Sequence, residues 1–204
     1  MPYPRDTTAH STPHQTPTHW HPLSVSLHWS SALLIIGLFA SGWWMTRLSY
    51  YDSWYHCAPW WHKSFGLTLA ILLVARLVAR IMLPRPPTLG HRHAQRAAHA
   101  AHAGHLLLYL MLCAVLIAGY LISTAEGRGI SIFGFFEFPA LMTPFHDQAE
   151  LAGTLHWYIA WSLIIAGVGH ALLALKHHAV DRDAVRMLGR PERQSGNPPS
   201  SAAP

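Results

Sequence analysis

Residues 151–175 read LAGTLHWYIAWSLIIAGVGHALLAL, a stretch without a charged side chain that carries two histidines, His156 and His170. A helix of about twenty apolar residues crosses the hydrocarbon core of a bilayer, so this segment reads as a membrane span. Ionisable side chains at that depth are costly and point to function. Fourteen residues is close to four helical turns, which puts both imidazoles on one helix face about 21 Å apart along the axis. One helix thereby offers a ligand near each membrane surface.

Working outward, three more apolar blocks of similar length occur at about 26–48, 62–83 and 105–124. The whole 204-residue chain is 51% hydrophobic and only 11% charged, unlike a soluble domain of that size. The expected fold is all-α, an integral membrane four-helix bundle over 23–178. A flexible tail precedes it over 1–22 and a cytoplasmic tail follows over 179–204. The first 22 residues are rich in His, Thr and Pro and contain no apolar core before a cleavage site, so helix one is expected to act as its own insertion signal.

Four spans place both termini and the 84–104 loop on one side. That side carries Arg5, Arg85, Arg92, Arg96, Arg182, Arg186, Arg190 and Arg193, which the positive-inside rule assigns to the cytoplasm. The other two loops carry Asp52, Glu126, Glu137, Asp147 and Glu150 and face outward. The expected location is a bacterial inner membrane. The net charge of +5 matches an anionic lipid surface, and no nucleic-acid partner is expected. Tryptophans such as Trp29, Trp43, Trp44, Trp60, Trp61 and Trp157 fall near span ends, as an interfacial belt does.

Two cysteines, Cys57 and Cys113, lie too far apart in this topology to pair, and the absence of a Cys-x-x-Cys-His motif excludes covalent c-type haem. Histidine is more informative. His28 opens helix one on the inner side and His62 opens helix two on the outer side. Depth then pairs His28 with His170 near the cytoplasmic face and His62 with His156 near the outer face. Neutral imidazole is a good iron ligand, and two axial histidines suit electron transfer rather than oxygen binding. The competing reading of His28, His62 and His156 is a capping or interfacial histidine whose tip reaches water. His170, set in IIAGVGHALLAL, has only apolar and small neighbours in sequence. Gly37, Gly42, Gly66, Gly119, Gly167 and Gly169 near these histidines either admit a macrocycle or pack helices closely.

LHW at His28, HKSFG at His62, GHLLLYL at His105 and LHWYIAWSLIIAGVGHALLALKHH around His156 and His170 together resemble the bacterial cytochrome b561 family over residues 23–190, and most of all its short four-helix members described as superoxide oxidases. The resemblance implies two haem b groups held by His28, His62, His156 and His170. It also implies electron transfer from an outer-face donor, superoxide, to ubiquinone, and hence an oxidoreductase of the respiratory chain. The His-rich tail and inner loop have no place in that pattern.

Such a protein needs an electropositive approach to its outer haem and an ordered path to quinone. Lys63, Arg128 and Arg47 are the basic residues placed to attract an anion outside; their other reading is snorkelling or pairing with haem propionates. On the inner side Arg76, one turn from Arg80, and His177 and His178 after helix four are candidates for a propionate or a quinone.

Two rival readings fit the same residues. A haem-bearing anchor subunit would pass electrons from a partner dehydrogenase or hydrogenase to quinone, with FGFFEFPALMTPF at 133–145 as its outer docking surface or as a lid. A metal-ion carrier would use the soluble histidines His10, His14, His19, His21, His91, His93, His99, His102 and His105, although His99, His102 and His105 also read as solvent-facing residues at a helix start. Its spans, however, contain no acidic residue before Glu150 at the start of the last.

Overall fold

The structure, a computed structural model, describes residues 21–83 and 92–181, with the side chains of 92–98 and 177–181 left out. Four helices account for nearly all of it: α1 Pro22–Met45, α2 Cys57–Met82, α3 Arg92–Ser123 and α4 Gln148–Asp181. Each contains a segment long and apolar enough to cross a membrane. Their outward faces are apolar and exposed, as at Leu33, Ile81 and Ile165, the pattern of a bundle solvated by lipid rather than water.

Apolarity alone does not set where the helices begin. His21 accepts the Leu23 N–H through Nδ1 at 3.2 Å, and Pro22 occupies the first turn, where its missing N–H costs nothing. Helix α1 therefore starts four residues before the apolar block does. Helix α2 starts at Cys57, so His62 sits in its second turn. Helix α3 extends thirteen residues ahead of its apolar block through the Ala-rich stretch before His105, because alanine favours helix without any membrane. Helix α4 likewise outruns its apolar block at both ends.

Helix α1 packs on α2, and α3 on α4. The two pairs close around a core of Leu69, Leu73, Leu112, Val115 and Leu163, flanked by Leu34, Leu38 and Ile159. Phe39 and Trp161 meet edge to face at 4.8 Å where α1 faces α4.

The outer-loop region 125–147 is not wholly irregular. Strands β1 Ile130–Ile132 and β2 Phe136–Phe138 pair antiparallel, Ile130 opposite Phe138 and Ile132 opposite Phe136. Phe133 and Gly134 turn the chain with φ of 49° and 77°, the left-handed pair that a tight hairpin uses. The hairpin is fastened to α2. The fully buried Ser64 accepts the Phe133 N–H through Oγ at 3.1 Å, and the Phe133 ring sits against Trp60, Trp61 and Phe65. Nearer α4, the Tyr120 hydroxyl donates to the Pro139 carbonyl, and the Gln148 side chain donates to the Leu121 carbonyl at 2.9 Å. These bonds anchor the loop to the end of the bundle that carries His62 and His156.

Candidate functional site

Antiparallel neighbours put the histidines into two clusters, one at each end of the bundle. At the hairpin end, His62 of α2 and His156 of α4 face each other with ring centroids 6.3 Å apart and planes at 71°. Both are partly buried. Glycines allow this closeness: a Cβ at Gly42 would lie 3.3 Å from Cε1 of His62, and one at Gly119 would lie 3.1 Å from Cε1 of His156. A Cβ at Gly37, Gly66, Gly167 or Gly169 would meet no such neighbour. Only two of the six glycines singled out from sequence therefore touch a histidine.

Hydrogen bonds fix how these two rings are protonated. Nδ1 of His156 lies 2.9 Å from the Val115 carbonyl oxygen. A carbonyl can only accept, so Nδ1 carries the proton and Nε2 keeps a lone pair. Nδ1 of His62 lies 3.0 Å from Oγ of Ser41, whose single proton goes to the Leu38 carbonyl at 3.0 Å. A hydroxyl so committed accepts from Nδ1, which leaves Nε2 of His62 as a lone pair, the tautomer that ligation through Nε2 requires. A ligating histidine commonly gives its other N–H to a carbonyl or similar acceptor, and both rings are in that state.

The donor set fits a metal centre in its spacing as well. With a metal–imidazole bond of about 2 Å, two imidazoles on opposite sides of one ion have centroids about 6 Å apart, close to the distance observed.

At the opposite end His28, His105 and His170 gather beside Arg76 and Arg80. Nη2 of Arg76 lies 3.0 Å from Nδ1 of His28. His105 and His170 meet with ring centroids 5.1 Å apart, and His28 is within electrostatic reach of Arg76, His170 and His105. Nδ1 of His105 donates to the Ala101 carbonyl at 2.7 Å. The guanidinium groups of Arg76 and Arg80 both lie over the Tyr109 ring, at 5.5 and 5.7 Å. Because guanidinium only donates, His28 accepts at Nδ1 and holds its own proton on Nε2. Ligation through that nitrogen requires the Arg76 bond to give way.

Sequence reasoning treated His105 as a solvent-facing residue at a helix start, whereas the structure places it against His170. Its position after Gly104 at the opening of an apolar run, as His170 follows Gly169, was the available signal.

Among the remaining candidates, Lys63 is exposed beside His62. Arg128 pairs loosely with Glu126 at 3.8 Å, both largely exposed. Arg47 stacks over Trp43 at 4.3 Å. The side chains of His177 and His178 lie outside the described residues, as do His10, His14 and His19 of the tail, the side chains of His91 and His93, and those of the arginines used to assign sidedness. Among the described residues no three His, Cys, Asp or Glu side chains converge on a point that could hold a free metal ion.

Comparison with known proteins agrees with this architecture. The pattern of the prokaryotic cytochrome b561 family matches residues 19–190. The chain is 46% identical to cytochrome b561 homolog 2 of Escherichia coli K12 over 183 residues, which covers 89% of this chain and 97% of that protein. It is 28% identical to the probable superoxide oxidase CybB of Yersinia pestis, over 84% of this chain and 96% of that one. It is 25% identical to cytochrome b561 homolog 1 of Escherichia coli K12, over 83% and 96% respectively.

Proposed function

Since this chain belongs to the prokaryotic cytochrome b561 family, a family of membrane electron carriers that bind haem b, we propose that it holds two haems and moves electrons across the bacterial inner membrane to ubiquinone. His62 and His156 hold the outer haem; His28 and His170 hold the inner one. Both termini are cytoplasmic, so the hairpin end faces the periplasm. The helical region forms one di-haem domain over residues 23–178.

The observation that carries this reading is the His62–His156 pair: two imidazoles from facing helices, 6.3 Å apart, each with Nδ1–H engaged and Nε2 presented. Bis-histidine haem iron supplies one-electron exchange without an open coordination position. The protein's own part is to hold the rings, exclude water between the helices and admit the reactants at the two ends.

Superoxide is the proposed donor, in keeping with the name borne by the Yersinia pestis relative. Two superoxide anions give up one electron each and leave as oxygen. One ubiquinone takes both electrons and two protons from the cytoplasmic side, so charge and atoms balance. No nucleophile is needed. The exposed Lys63, one residue from His62, draws the anion inward and Arg128 assists at the loop. Arg76, backed by Arg80 over Tyr109, holds a propionate of the inner haem or a carbonyl of the quinone.

The test is a reduced-minus-oxidised spectrum with haem counted per chain, for the wild type and for His170→Ala. Two b-type haems falling to about one supports the reading; a colourless wild type, or full retention in the variant, sinks it.

A second reading keeps the haems and makes the chain an anchor for a partner dehydrogenase. Phe135 and Phe136 at the hairpin tip, 94% and 60% exposed, favour it. Copurification of a large dehydrogenase, together with no quinone reduction by the isolated chain, would select that role.

A further inference from the structure

Ser41 stands thirteen residues along α1 from His28, more than three turns away, yet its hydroxyl reaches across to α2. Its Oγ is 3.0 Å from Nδ1 of His62 and 3.0 Å from the Leu38 carbonyl oxygen. The next residue, Gly42, lacks the Cβ that would press on the same ring. One residue thus supplies the contact and its neighbour supplies the room for it.

His62 and His156 differ in what receives their protons. His156 donates to the Val115 carbonyl, an atom of the backbone that no side-chain change deletes. His62 donates to a side-chain hydroxyl, itself polarised because it donates onward to Leu38, and such chains strengthen each bond in them. An acceptor at Nδ1–H pushes electron density toward Nε2. That strengthens donation to iron, favours the ferric state and lowers the reduction potential.

We infer that Ser41 is a positioning residue for the outer haem, which acts through Nδ1 of His62 to fix that ring's tautomer and orientation and to hold the haem's reduction potential down. The inference rests on the assignment of His62 as a ligand. In Ser41→Ala no side-chain atom replaces the lost acceptor. Ser41→Cys keeps nearly the same volume with a weak acceptor. Ser41→Thr keeps the hydroxyl.

The experiment is a redox titration of both haems in the full-length, haem-loaded protein, with haem stoichiometry and low-temperature electron paramagnetic resonance of the ferric state. In Ser41→Ala and Ser41→Cys the potential of one haem rises and its ferric signal moves while the other haem is unchanged. Haem is also held more weakly at that site, within the 10- to 100-fold range typical of such outer partners. Ser41→Thr stays near the wild type. Unchanged potentials, signals and retention in both Ala and Cys variants would overturn the role of Ser41 even with His62 as a ligand. His62→Ala, measured alongside, separates the two claims: loss of one haem upholds the ligand assignment, whereas retention of both would remove that assignment and Ser41's role with it.

Discussion

His156 gives its Nδ1–H to the Val115 carbonyl oxygen at 2.9 Å, across the α3–α4 contact where Gly119, one turn further along α3, leaves its ring room. The two features are coupled by helical geometry. A residue four positions on stands over the same face, so the acceptor and the gap are presented to the imidazole together. The ring is held by one and tolerated by the other.

Gly119→Ala breaks that arrangement. The added Cβ would sit 3.1 Å from Cε1 and 3.3 Å from Nδ1 of His156, and the ring must move by a few tenths of an ångström. The bond to Val115 then lengthens and the ligand's aim changes. Haem content per chain should fall at the hairpin-end site, with weakening of about tenfold or more expected for a disturbed ligand partner. Gly167→Ala, where an added Cβ meets nothing within 4 Å, is the control that keeps both haems. Equal haem content in the two variants would refute the steric account.

Ser64 should govern the hairpin rather than the helix that carries it. It is fully buried and accepts the Phe133 N–H, which lets a phenylalanine keep a left-handed φ of 49° that otherwise costs about 1–2 kcal/mol. Ser64→Ala leaves that N–H without its acceptor, at a cost of about 1–3 kcal/mol. Hydrogen exchange at Ile132–Phe135 should quicken by tenfold or more while exchange in the core of α2 stays as it was. Protection unchanged at the turn would show that the ring cluster alone holds the hairpin.

The four spans were legible because apolar length is written directly in residue type, and the shared face of His156 and His170 because their interval is close to four turns. What escaped was written elsewhere. The hairpin turn uses Phe133–Gly134 in place of an Asn-Gly or Asp-Gly signal, so 125–150 read as a plain loop. The early start of α3 lies in an Ala-rich stretch that no apolar criterion selects. The Val115 acceptor is a backbone oxygen, which every residue has. Ser41 looked like any helix serine until α2 was packed beside it. His105 reads as one more histidine of an Ala- and His-rich helix start, while its neighbour in space is His170, with Arg80 within electrostatic reach.

The 46–56 loop carries a pH-sensitive turn. The Ser49 N–H donates to Oδ2 of Asp52 at 2.6 Å and the Ser49 hydroxyl at 2.8 Å. These two bonds, the backbone one first, hold the Asp52 carboxyl below its ordinary range. Its folded value therefore lies under its unfolded one. The contribution is complete above the ordinary carboxylate range and is lost as pH falls through the lowered folded value. Carboxyl-carbon NMR of Asp52 should titrate at lower pH in the wild type than in Ser49→Ala, which loses the hydroxyl bond, keeps the larger backbone one and so moves only part of the way toward the ordinary value. Coincident titrations would show that the Ser49 hydroxyl does not bond to Asp52 in solution.

The cluster around Arg76 contains three histidines, and the assignment of two of them as ligands makes a sharp prediction. His28 accepts from Arg76 through Nδ1, so its ligation depends on the guanidinium turning to another acceptor, for which a propionate is suited. His105, by contrast, already gives Nδ1–H to Ala101 and faces His170 with a lone pair on Nε2. If His28 and His170 hold the inner haem, His28→Ala should lower haem from two per chain to about one, and His105→Ala should keep both. If His105 and His170 instead part from their 5.1 Å spacing to hold the haem between them, the outcome reverses: His105→Ala loses one haem and His28→Ala keeps two. Haem counted by pyridine haemochrome on the two purified variants decides between the pairs. The reversed outcome would move the inner ligand from α1 to α3 while leaving the outer pair untouched.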